Sequence, residues 1–128
     1  MQYARQSVLN RLARWAPAFV FMALIFYSSS QADPAPIVTR NVWDKLLHGG
    51  GYGVLAVLYL WALAGTQRSW LVMACTAIVL TTAYAATDEI HQIFTPGRVP
   101  DFADWLADTI GGFVAVAICS AWRSVNKA

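Results

Sequence analysis

The chain has 128 residues, 58% of them hydrophobic and only 12% charged, against ~45–50% and ~25% in ordinary soluble domains. So little charge cannot cover a water-facing surface, so much apolar residue excludes disorder, and two cysteines exclude a disulfide scaffold. With roughly 20 apolar residues per crossing, the composition predicts one membrane domain over residues 1–128, with no room for a separate soluble catalytic domain.

Apolar stretches cover residues 12–30, 46–64, 70–87 and 105–122. Each is long enough to cross a bilayer as a helix, and the two-residue alternation of a barrel strand is missing. The expected fold is therefore all-α, a four-helix transmembrane bundle. Pro17 falls in the first turns of the first span, where a missing N–H matters little. The same N-terminal stretch, with basic residues ahead of it and Ser30-Gln31-Ala32 before Asp33, also has the build of a cleavable signal peptide; cleavage would leave three spans. Arg5, Arg11, Arg14, Arg68, Arg123 and Lys127 lie on one side of the spans, and Arg40, Lys45 and Arg98 on the other. This bias predicts both termini cytoplasmic and the 31–45 and 88–104 segments outside. Cys75 and Cys119 fall within spans, where thiols behave as small hydrophobes. The net charge of +2 gives no reason to expect nucleic acid as a partner; the partner implied is the lipid bilayer.

Charge in or beside a span marks a candidate functional site, and here it gathers at the expected outer ends of three helices. Asp44, His48 and Tyr52 are spaced i, i+4, i+8 on one helical face, beside Lys45 and the run Gly49-Gly50-Gly51-Tyr52-Gly53. The glycines weaken a helix but permit close backbone approach, so the segment reads either as a packing seam with a charged anchor or as a polar face pressed on a neighbour. Span three ends in Tyr84, Asp88, His91 and Gln92, again on one face, with Glu89 beside them. Acids at a helix C-terminus oppose the helix dipole, so the segment reads either as a solvated helix end or as a polar functional face. In Thr95-Pro96-Gly97-Arg98, Pro-Gly suits the centre of a type II turn with Gly97 at positive φ. Such a turn would fix Arg98 beside the helix ends, either to neutralise Asp88 or Asp104 or to hold a phosphate. Asp101 and Asp104 suit the start of span four as N-cap and first-turn residues, whereas Asp108 lies about 10 Å further along, where an unpaired carboxylate needs a partner.

These three ends hold Asp44, Asp88, Glu89, Asp101, Asp104 and Asp108 against Lys45 and Arg98, a formal balance of −4. If they converge, the carboxylates must share protons or recruit a cation. Such a cluster can do acid–base work, with Asp88, Glu89, Asp104 and His48 as the catalytic candidates and His91 a further one. Asp44, Lys45, Tyr52, Gln92, Arg98 and Asp108 are the ligand-binding candidates. His48, His91 and the acids could hold a divalent cation, but no HExxH or paired-cysteine spacing occurs, so no metal ligands are assigned.

The pattern Ser29-Ser30-Gln31, Asp44-Lys45-x-x-His48 with Tyr52, DEIHQIFTPGR at 88–98 and Asp104-x-x-x-Asp108-x-x-Gly111 resembles the VanZ-like family of small membrane proteins. The resemblance runs from span one to Gly112 and is most specific at 88–98; the family commonly carries Asn where this chain has Asp108. It implies a multi-pass envelope protein and brings no defined reaction. The drug resistance associated with the family's namesake does not follow from the motif. Two functions fit. In one, an outward acidic site takes the head group of an amphiphile such as a lipid-linked envelope precursor, with Arg98 and Lys45 on phosphate. In the other, a non-enzymatic helper or interaction subunit pairs its charges across helices. A proton-coupled transporter fits less well, because the charge lies at one end and not along a path across the bilayer.

Overall fold

The computed structural model describes residues 9–31 and 42–126, and of 42–44 the backbone alone. Of the described residues 81% are helical and none lies in a strand. Its helices are α1 (Ala16–Ser29), α2 (Val42–Leu63), α3 (Trp70–Gln92) and α4 (Phe102–Val125). A helical turn at 9–13 precedes α1, and with it all four segments are long and apolar enough to cross a membrane.

Proline explains the break before α1. Pro17 has no N–H to give the Ala13 carbonyl, and its ring crowds that carbonyl. The chain responds by tightening, with Arg14 N–H on Arg11 O (3.2 Å) and Trp15 N–H on Leu12 O (3.0 Å) before α1 resumes. The helices also outrun the apolar stretches. α2 begins at Val42, α3 continues to Gln92 and α4 starts at Phe102, because the polar residues there are adequate helix formers and nothing breaks the chain until Pro96-Gly97. Ser69 caps α3, accepting from Val72 N–H (3.4 Å).

α2 packs most extensively on α4, both pack on α3, and α1 leans on α2 and α3. The α2–α4 contact is a glycine seam. A Cβ on Gly111 would run into the backbone of Gly49, one on Gly53 would lie 3.2 Å from Gly111 O, and one on Gly112 would press the Thr81 methyl at 2.8 Å. This is the close backbone approach that the glycine run permits. Gly50 and Gly51 face open space, so the seam uses only every fourth residue of the run. Around it the core is built from Leu55, Ala56, Tyr59, Leu60, Ala77, Ala85 and Val116.

Polar pins join the helices. Tyr84 Oη donates to Met22 O (2.7 Å), Trp105 Nε1 to Thr82 O (3.3 Å), and Trp70 Nε1 to Ser120 Oγ (3.0 Å). Large apolar side chains such as Phe19, Leu24, Val79, Phe113, Ile118 and Trp122 point outward. An aqueous fold would bury them, while lipid solvates them at no cost.

Candidate functional site

Three helix ends meet at one end of the bundle, and the polar residues there form two layers. The outer layer is paired. Lys45 of α2 forms a salt bridge to Asp101 (3.0 Å) and another to Asp104. Asp101 is the N-cap of α4: its Oδ1 accepts from Ala103 N–H (2.8 Å), and its own N–H donates to Glu89 Oε2 (2.8 Å). The Ala103 N–H, joined by the Lys45 ammonium, holds the exposed Asp101 carboxyl below the ordinary carboxylate range. Glu89, which Gln92 Nε2 also approaches (3.5 Å), thus ties the end of α3 to the start of α4.

The inner layer is buried and under-partnered. Asp108 is 1% exposed, Tyr52 2% and Asp88 4%. Tyr52 Oη, Asp88 Oδ1, both Asp108 oxygens, Ser29 Oγ and Thr109 Oγ1 have no hydrogen-bond partner among the described residues. His48 brings Nδ1 to 3.4 Å from Asp108 Oδ1. Tyr52 lies within electrostatic reach of Asp88 and Asp108, and Asp108 within reach of His48, Asp104 and Asp88. Ser29 and Gln92 face Asp88. Helix geometry explains the convergence: Tyr52 and His48 are one turn apart on α2, Asp104 and Asp108 one turn apart on α4, and the glycine seam presses these faces together.

The expected convergence of Lys45, His48, Tyr52, Asp88, Glu89, Gln92, Asp104 and Asp108 is therefore present. The side chain of Asp44 lies outside the described residues. Arg98 sits where the sequence places it, after a type II turn closed by Arg98 N–H on Thr95 O (3.1 Å) with Gly97 at φ 82°. Its Nε donates to Gln31 O (3.1 Å), so it braces the end of α1 rather than neutralising Asp88 or Asp104. Lys45 is held between two carboxylates, an arrangement that serves cohesion better than phosphate capture. His91 turns toward α1: its ring lies 4.2 Å from that of Phe26, and its Nε2 is 3.0 Å from Ser30 Oγ. Ser30 Oγ also lies 2.7 Å from Phe26 O. Its single proton given to that carbonyl leaves Ser30 accepting from His91, an interhelical clip and not a nucleophile–base pair. Among the described residues no group of three or more His, Cys, Asp or Glu side chains is placed to hold a metal ion.

Two contributors appeared in the sequence only as part of the family pattern and not as site candidates. Ser29 and Ser30, at the end of α1, join the inner layer and the clip. The signal was present in Ser28-Ser29-Ser30-Gln31, a polar run closing an apolar helix, but it also reads as a cleavage site or an interfacial end.

A bundle that turns apolar side chains outward and gathers its buried charge at one end defines a multi-pass α-helical membrane protein. The VanZ/LLP1 family profile matches residues 4–123, and the chain belongs to that family. No curated protein and no solved structure is significantly similar to it.

Proposed function

We propose that this chain is a plasma-membrane protein of the cell envelope whose polar bundle end faces outward and receives the head group of an amphiphile, such as a lipid-linked envelope precursor. The observation that carries this reading is the inner layer, where Asp88, Asp108 and Tyr52 are buried together and several of their polar atoms have no full hydrogen-bond partner among the described residues, His48 approaching Asp108 only to 3.4 Å. Unmatched buried acceptors are destabilising by ~1–3 kcal/mol each, and a bound donor relieves them. The set is rich in acceptors, so the complementary head group is rich in donors, as sugar hydroxyls or an amine are. His48 beside Asp108 is the pair through which a proton would pass if the head group is transformed, with Asp104 at the half-open rim. Lys45, Glu89 and Asp101 hold the helix ends around them. The outward direction rests on the basic residues at the opposite end of the bundle.

A second reading, a helper subunit with structural charges, is favoured by the outer layer, where Lys45, Asp101, Asp104 and Glu89 already satisfy one another. Native mass spectrometry of the purified full chain separates the two, comparing wild type with Asp88→Asn and Asp108→Asn, which keep shape and leave the outer layer intact. A co-purifying amphiphile whose occupancy falls about tenfold or more in a folded variant supports the site; losing a hydrogen bond to a charged group is worth ~1.5–3 kcal/mol. A wild type that retains nothing, with melting points unchanged in both variants, overturns it in favour of the helper subunit.

A further inference from the structure

The opposite end of the bundle carries a second site. Between the helical turn at 9–13 and the end of α2 lies an open groove of about 350 Å³ lined by Asn10, Arg11, Ala13, Arg14, Trp61 and Gly65. The size falls within the ~300–1,000 Å³ usual for small-ligand sites. Arg14 is pre-set in it: Nε donates to Trp61 O (3.2 Å), and the guanidinium centre stands 4.9 Å from the Trp61 ring. The terminal nitrogens of that guanidinium make no hydrogen bond among the described residues. Gly65 makes the posture possible, because a Cβ there would come within 2.9 Å of Arg14 Cδ. Arg11 is exposed one turn away. All five carboxylates whose side chains are described belong to the other end of the bundle, so among the described residues none neutralises these two arginines.

We infer that this groove binds the phosphodiester head group of an anionic phospholipid. Paired guanidinium forks match phosphate oxygens in a bidentate way, and a basic groove between helices at a membrane surface is suited to such head groups. The surroundings identify a lipid rather than a free phosphate. Val54, Val57 and Trp61 share one outward face of α2 at i, i+3, i+7 and are 48%, 40% and 46% exposed. They form an apolar strip that leads from the groove about 10 Å toward the middle of the span, where acyl chains would lie. Leu9 and Leu12, in the same helical turn as the groove's Asn10 and Arg11, are exposed as well. A head group with its own ammonium partly cancels the attraction, so phosphatidylglycerol is held over phosphatidylcholine.

The test is native mass spectrometry of the full chain titrated with phosphatidylglycerol or phosphatidylcholine of the same acyl chains, and separately with inorganic phosphate. Wild type is expected to bind phosphatidylglycerol preferentially. Arg11→Gln and Arg14→Gln are each expected to weaken that binding about fivefold, the factor given by ~1 kcal/mol per basic residue at an anionic surface. Arg68→Gln, at the same end but outside the groove, should leave it unchanged. Should Arg14→Gln fail to fold, Arg11→Gln decides, since that side chain is exposed. Equal binding of the two lipids, an equal loss in Arg68→Gln, or inorganic phosphate competing as well as the lipid would each overturn the inference.

Discussion

At the residue scale, three glycines of the same nominal helix weakness have different duties. Gly111 meets the Gly49 backbone and Gly53 meets Gly111 O, whereas Gly50 faces open space. Backbone cannot step aside as a side chain can, so Gly111→Ala is expected to lower the melting temperature in detergent sharply or to prevent folding. Overpacking of ~1–3 kcal/mol is the mildest outcome for such a clash. Gly50→Ala should instead raise stability by ~0.5–1 kcal/mol, the ordinary helix-interior difference. Thermal unfolding of the two variants side by side checks both. The sequence made the glycine run visible as a seam but could not say which members touch. That depends on the rotation of α2 about its axis, which only packing against α4 decides. Asp108 was legible as a buried acid because its depth follows from helix rise alone. Ser29 was not, because its importance comes from a helix far away in sequence.

At the element scale, the start of α4 is held by a cap whose parts come from three helices: Asp101 itself, Lys45 and Glu89. Asp101→Asn keeps a capping oxygen and should lower the melting point less than Asp101→Ala, which removes it. The carboxyl titrates below its unfolded value, so its contribution is complete above the ordinary aspartate pKa near 3.9. It is lost as pH falls through the lower folded value. In acid the difference in melting point between wild type and Asp101→Asn should therefore shrink, and a gap that widens below pH 4 would contradict the assignment. Screening at this exposed position keeps the effect small. The N-cap was legible from Asp101-x-x-Asp104, since local spacing dictates it. That Glu89 of α3 receives the N–H of Asp101 was not, because the intervening Pro96-Gly97 turn sets the angle between the two helices.

At the scale of the whole molecule, charge is sorted along the bundle: described carboxylates at one end, Arg11, Arg14, Arg68 and Arg123 at the other. The four spans could be read from composition because lipid demands long apolar helices; their exact ends could not, because polar residues continue a helix past the bilayer core. Reporter fusions at both termini are expected to report the cytoplasm, and Arg11→Gln with Arg14→Gln should weaken that bias. The glycine seam has a mechanical corollary. Where two backbones touch there are no rotamers to rearrange, so α2 and α4 should behave as one stiff plank while α1, more lightly attached and broken at Pro17, forms the movable wall. Widening the polar end to admit a molecule from the side would then swing α1 outward, parting Ser30 from His91 and Gln31 from Arg98. Amide hydrogen exchange should accordingly run faster through α1 than through the α2–α4 pair, making the first helix the door and the seam its frame.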